Sequence, residues 1–133
     1  MNLRSSVDII SEWDIVAARQ LGRNEAKDVG FGTVDQARIT TAISELARNI
    51  YLYAEKGNIE IKQISEGNLK GLLVIASDKG PGIADVRKAM EDGYTTSGGL
   101  GAGLPGVKRL MDDFKIETVV DEGTVITATK WMR

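Results

Sequence analysis

The apolar residues of this chain change their spacing abruptly between Tyr53 and Ile59, and that change limits the folds open to it. Before it, Ile39, Ile43, Leu46, Ile50 and Tyr53 follow at intervals of 4, 3, 4 and 3 residues, the repeat of one helical face. After it, Ile59, Ile61 and Ile64, then residues 72–75, flank Glu66-Gly67-Asn68, the pattern of two antiparallel strands and a turn. A long helix beside a hairpin buries both apolar faces only if one lies on the other.

The rest of the chain extends this plan. Residues 4–10 alternate weakly as a short strand, Ser11 with Asp14 reads as a capping box opening a helix, and Gly30 ends it. Thr33 with Gln36 is the expected cap of the long second helix and Gly57 its expected stop. Beyond the hairpin, Asp78-Lys79-Gly80-Pro81-Gly82 breaks the second strand and a short helix is expected at 84–90. Pro105 suits the first turn of a helix carrying Val107, Leu110 and Met111. Residues 116–120, the turn Asp121-Glu122-Gly123 and residues 125–131 read as a closing hairpin. The expectation is an α+β two-layer sandwich: a mostly antiparallel sheet with helices on one face, built by residues 1–133 as a single domain.

Composition narrows the chemistry. With 17 Lys plus Arg against 19 Asp plus Glu, the net charge is -2, so no basic field exists to hold nucleic acid. There is no cysteine and no histidine, which removes disulfides, thiolate metal sites, imidazole bases and any phosphohistidine formed within the chain. No apolar run approaches the roughly 20 residues of a membrane span, and no secretory leader is evident. A cytoplasmic protein without membrane or nucleic-acid partners is expected.

Three segments carry possible chemistry. Glu45 and Asn49, four residues apart on the long helix, share a face about 100° round from Leu46 and Ile50. Their oxygens suit magnesium, and the carboxylate suits proton abstraction from a hydroxyl. Taken alone, Glu-x-x-x-Asn is ordinary surface decoration. Asp78 ends an apolar strand, where it can accept from an exocyclic amine such as that of adenine. Gly80 and Gly82 let a flat ring approach the backbone, although an ordinary strand-ending turn has the same composition. The third segment, 92–106, holds six glycines in fifteen residues, too long for a simple connection. We expect a phosphate lid here, with free N–H groups ahead of a helix. Gly101-x-Gly103-x-x-Gly106 matches the dinucleotide fingerprint by spacing alone, since no strand directly precedes it. No Gly-Lys-Ser/Thr ending marks a P-loop.

In order, Glu45-x-x-x-Asn49, Asp78-x-Gly80-x-Gly82, Gly99-x-Gly101-x-Gly103 and Gly123-Thr124 resemble the N, G1, G2 and G3 boxes of the GHKL ATPase and kinase superfamily. Residues 12–19 and 96–106 are similar to its anti-sigma-factor serine-kinase branch. The resemblance spans the chain and implies a Bergerat-type ATP fold. In it Asp78 would read the adenine amine with help from Thr124, Gly80 and Gly82 would shape the adenine pocket, and Gly99, Gly101 and Gly103 would form the phosphate lid. Asn49 would hold Mg2+ and Glu45 would be the general base. Where histidine kinases often carry His before the glutamate, this chain has Ser44. The segment 92–106 holds no Lys or Arg, leaving Arg48, Lys108 or Arg109 to assist at the γ-phosphate.

The resemblance further implies transfer of phosphate from MgATP to serine on STAS-domain antagonist and scaffold proteins of a stressosome, RsbS-like and RsbR-like. A second implied role is activation of a PP2C-type, RsbU-like phosphatase that switches on a general stress sigma factor. The alternative is a non-catalytic nucleotide-binding switch acting through partners alone. An ATP-driven clamp would need a transducer domain for which 133 residues leave no room. Apolar residues near the N-terminus read either as core or, because sibling kinases dimerise, as a contact face for a possible homodimer.

Overall fold

A computed structural model describes residues 4–91 and 103–133. The elements run β1 (Arg4–Ile9), α1 (Glu12–Val29), α2 (Thr33–Tyr53), β2 (Gly57–Glu66), β3 (Leu69–Asp78), α3 (Val86–Ala89), α4 (Gly103–Leu110), β4 (Asp113–Val119) and β5 (Gly123–Trp131). The strands form one sheet in the order β1-β2-β3-β5-β4, antiparallel at every pairing. Helices pack on one face, in the expected α+β layer pair.

Why these residues meet follows from the two periods. Ile59 and Ile61 of β2 pair with Ala76 and Val74 of β3, and all four are buried on the face that meets α2. From the helix come Ile39, Ile43, Leu46 and Ile50, also buried. Ile15 and Ala18 of α1 complete the core. Gly22 sits so close to α2 that a Cβ there would run into Ile43 Cδ1, which lets the two helices pack tightly. On the opposite sheet face, ion pairs such as Lys62–Glu60 and Lys115–Glu117 meet solvent, as antiparallel sheets allow.

Local chemistry explains the ends of the elements. The Asp14 carboxylate accepts the Ser11 and Ile10 N–H groups at 2.8 and 2.9 Å, closing the acidic half of the capping box. Gly30 terminates α1 in the left-handed region, φ 115°. Two boundaries differ from the sequence reading. The cap of α2 is Gly32, not Thr33, because the Gln36 side chain donates to the Phe31 carbonyl at 2.8 Å rather than turning back to a cap N–H. The helix stops at Ala54, with Glu55 taking the positive φ of 69°. Gly57 instead opens β2, where a Cβ would strike the Ser77 carbonyl and approach Ile50 Cγ2 to 2.8 Å. Closeness of packing, not a helix stop, requires glycine there.

Further along, the short helix is shorter than expected, Val86–Ala89, capped by Asp85 accepting from Lys88 N at 3.0 Å. The last hairpin begins earlier, at Asp113. Gly103, expected within the glycine-rich lid, is the first residue of α4, and residues 92–102, the remainder of the expected lid up to that point, lie outside the described residues. The N-terminal apolar residues divide: Ile9 and Ile15 are core, whereas Ile10, Trp13 and Val16 are exposed, Trp13 at 80%.

Candidate functional site

Between α2 and the β3–β5 end of the sheet lies a cleft of about 410 Å3, within the range of small-molecule sites. Leu46 and Ile50 of α2, Ala76 of β3, Ile126 of β5, Ile83 and Leu104 give it apolar walls. These can hold a flat base, leaving orientation to a few polar groups.

Those groups converge from two layers. Asp78 and Thr124 are cross-strand partners at the end of β3 and β5, so their side chains stand as neighbours on the cleft floor. Asn49 enters from α2. The Gly80 N–H donates to Asp78 Oδ1 at 2.9 Å, which fixes the carboxylate; among the described residues nothing takes Oδ2. The Asp78 carboxylate therefore presents an acceptor to anything entering the cleft.

The loop after β3 is held against the last hairpin. The Asp121 N–H donates to the Pro81 carbonyl at 2.8 Å, and the Ile83 N–H to Thr118 Oγ1 at 2.9 Å. Gly82 makes this possible at φ 76°, where a Cβ would lie 2.5 Å from the Val119 carbonyl oxygen. Gly80 lies against the end of α2, where a Cβ would come within 2.6 Å of Ala54 Cβ. One wall of the cleft is thus made by backbone lying on backbone, which side chains would push apart.

The structure brings Asn49, Asp78, Gly82, Gly103 and Thr124 to the cleft lining. Gly80 supports it from behind. Glu45, one turn before Asn49 on α2, is buried at 3% exposure and is not among the residues lining the cleft. Gly99 and Gly101 lie outside the described residues. Gly103 reaches the cleft at the N-terminus of α4, where helix dipole and free N–H groups favour an anion.

Several contributors escaped the sequence reading. Ile83 and Leu104 are single apolar residues without periodicity, so no pattern marks them. Thr118 was equally silent, although the predicted turn at 121–123 would set it opposite Thr124, as it is. Among the described residues no group of three or more His, Cys, Asp or Glu gathers to hold a metal. Nor, among the described residues, is any helix long and apolar enough to cross a membrane.

Known proteins resemble this chain in sequence and in fold. The family described as histidine kinase-like ATPase domain matches residues 12–130. The chain is 71% identical over 133 residues, the whole of both chains, to the serine/threonine-protein kinase RsbT of Bacillus subtilis (strain 168). It is 36% identical over 102 residues, 72% of this chain and 70% of the relative, to the anti-sigma F factor of Thermoanaerobacter sp. (strain X514). A solved structure of the RsbU and RsbW domains of a Mycobacterium tuberculosis protein superposes with a TM-score of 0.67 over 100% of this chain and 33% of that one, at 18% identity, a likeness of fold. The family match over residues 12–130 and the 71% identity over the full length place the chain in the histidine kinase-like ATPase domain family, to which it belongs.

Proposed function

We propose that this chain is an ATP-dependent serine/threonine-protein kinase that phosphorylates serine on small STAS-domain proteins, RsbS-like and RsbR-like, in a stressosome. The observation that carries the reading is the Asp78–Thr124 acceptor pair beneath an apolar cleft, in a chain 71% identical end to end to a serine/threonine-protein kinase. Asp78 Oδ2 accepts from the adenine amine. The apolar walls hold the ring. Gly103, with Gly99 and Gly101, offers backbone N–H groups to the phosphates, and Asn49 is the ligand this chain offers to magnesium. Bound with the nucleotide, Mg2+ neutralises phosphate charge.

In the transfer step the partner's serine hydroxyl attacks the γ-phosphorus, its proton passes to the Glu45 carboxylate, and ADP leaves with the bridging oxygen. Because little covalent chemistry falls to the protein, rate comes mainly from positioning and charge neutralisation. Glu45 lies one turn before Asn49 on the same rigid helix, so the base is held in register with the metal ligand. Released from the stressosome, the kinase binds and activates an RsbU-like PP2C-type phosphatase, in the cytoplasm. The exposed Ile10, Trp13 and Val16 form the face we assign to protein partners, including a second copy of the chain.

The test is transfer of label from radiolabelled MgATP to a STAS-domain partner. Wild type labels partner serine. Glu45→Ala still binds ATP but transfers about 10²–10⁴-fold more slowly, the usual worth of a general base. Asp78→Asn loses ATP binding and transfer together. A wild-type protein that binds ATP yet never labels its partner is a binding-only switch, and the kinase reading falls.

A further inference from the structure

Thr118 lies one strand away from the cleft lining, on β4, opposite Thr124, and three groups converge on its hydroxyl. The Ile83 N–H donates to Thr118 Oγ1 at 2.9 Å. The Gly123 carbonyl lies 3.2 Å away, with Thr118 Oγ1 as donor. Thr124 Oγ1 is at 2.9 Å, and either hydroxyl can be the donor there. A hydroxyl has one proton to give and two lone pairs with which to accept. The Ile83 N–H can only donate and the Gly123 carbonyl can only accept. One assignment satisfies all three contacts: Thr118 gives its proton to Gly123 and accepts from both Ile83 and Thr124.

We propose that Thr118 is a positioning residue for base selection, which turns the Thr124 proton away from the cleft so that the cleft floor offers only acceptors. This rests on the reading of Asp78 as the adenine acceptor. The consequence is chemical. Beside Asp78 Oδ2, the lone pairs of Thr124 face the base directly. An amine on the six-membered ring finds two acceptors. A carbonyl in the same place, as in hypoxanthine, finds no donor and meets two electron-rich oxygens. Were Thr124 free to rotate, its hydroxyl would donate to that carbonyl and weaken the discrimination. Thr118 therefore sets selectivity without touching the nucleotide. The same hydroxyl, by accepting from Ile83, ties the apolar wall to the floor, so one side chain fixes both the walls' spacing and the floor's polarity.

The experiment compares equilibrium binding of ATP and inosine triphosphate, with Mg2+, to wild type, Thr118→Ser and Thr118→Val, with thermal unfolding recorded for each. Wild type prefers ATP, Thr118→Ser keeps that preference, and in Thr118→Val the ratio of the two affinities falls roughly tenfold, the worth of one net hydrogen bond of preference. A purely structural role would weaken both nucleotides together and leave the ratio alone, and that result overturns the inference. Equal binding of both nucleotides by wild type overturns the reading of Asp78 instead, and the inference with it. If Thr118→Val does not fold, Thr124→Ala decides. It leaves the Ile83–Thr118 bond in place, and an unchanged ratio there means that Thr118 has nothing to orient.

Discussion

At the residue scale, the same amino acid carries very different weight according to what surrounds it. Gly123 has φ 134°, and a Cβ there would run into the Asp78 carbonyl and lie 2.8 Å from Lys79 Cα. Backbone cannot swing aside as a side chain can, so an added methyl must displace the strand that carries Asp78. Gly32 has nothing within 4 Å of its would-be Cβ and an ordinary φ of -72°. Gly123→Ala is therefore expected to cost roughly 2 kcal/mol or more of stability and to weaken ATP binding. Gly32→Ala should stay within about 1 kcal/mol of wild type. Denaturant midpoints and nucleotide titrations of the two variants check this, and equal midpoints would refute the backbone argument. The resemblance flagged Gly123-Thr124 as a box, but the reason for its glycine, a backbone beneath it, became readable only from the strand register.

At the scale of elements, the layout was legible because it rests on periods. The 4-3-4-3 spacing of α2 and the alternation in β2 need no partner to be read, and each met the other's apolar face. Ends were less legible, because they depend on contacts from elsewhere. Gly57 looks like a helix stop until Ser77 is seen beneath it, and Gln36 looks like half of a capping box until its amide is found on Phe31. The site divided in the same way. Asp78 and Asn49 stand in local motifs, whereas Thr118 and Ile83 matter only through what the fold lays against them. The capping box of α1 was read correctly and makes a titratable prediction. The N–H groups of Ser11 and then Ile10 hold the Asp14 carboxyl below its ordinary 3.8. Its folded-state pKa is depressed, so its contribution is present above the ordinary value and is lost as pH falls through the depressed one. The Tm advantage of wild type over Asp14→Asn should be full at neutral pH and shrink below about pH 4. A gap that does not change with pH would mean the carboxylate's charge is irrelevant to the cap.

At the scale of the whole molecule, the helices cover one sheet face and the cleft opens between the layers, so partner proteins must dock on what remains outside. Charged side chains supply much of that exposed surface. The start of α1 is different. Ile10, Trp13 and Val16 are 65%, 80% and 44% exposed, three residues apart, while Ile15 and Ala18 on the same stretch are buried. Helical geometry explains the division within α1, where Ile15 and Ala18 face the core while Trp13 and Val16 face outward; Ile10 lies just before the Ser11 cap. A large exposed indole gives no stability to the monomer, and tryptophan is among the residues that most often dominate binding energy once covered. Trp13→Arg should therefore leave thermal stability within about 0.5 kcal/mol of wild type and leave ATP binding unchanged. Association through this face should weaken by about 30-fold or more, the effect of losing a single hot spot. Sedimentation of the chain alone and titration with a PP2C-type phosphatase measure the two candidate associations. A Trp13→Arg protein that self-associates and binds phosphatase as wild type does would leave this face without a partner. A variant that unfolds would show instead that the indole belongs to the core, against its exposure.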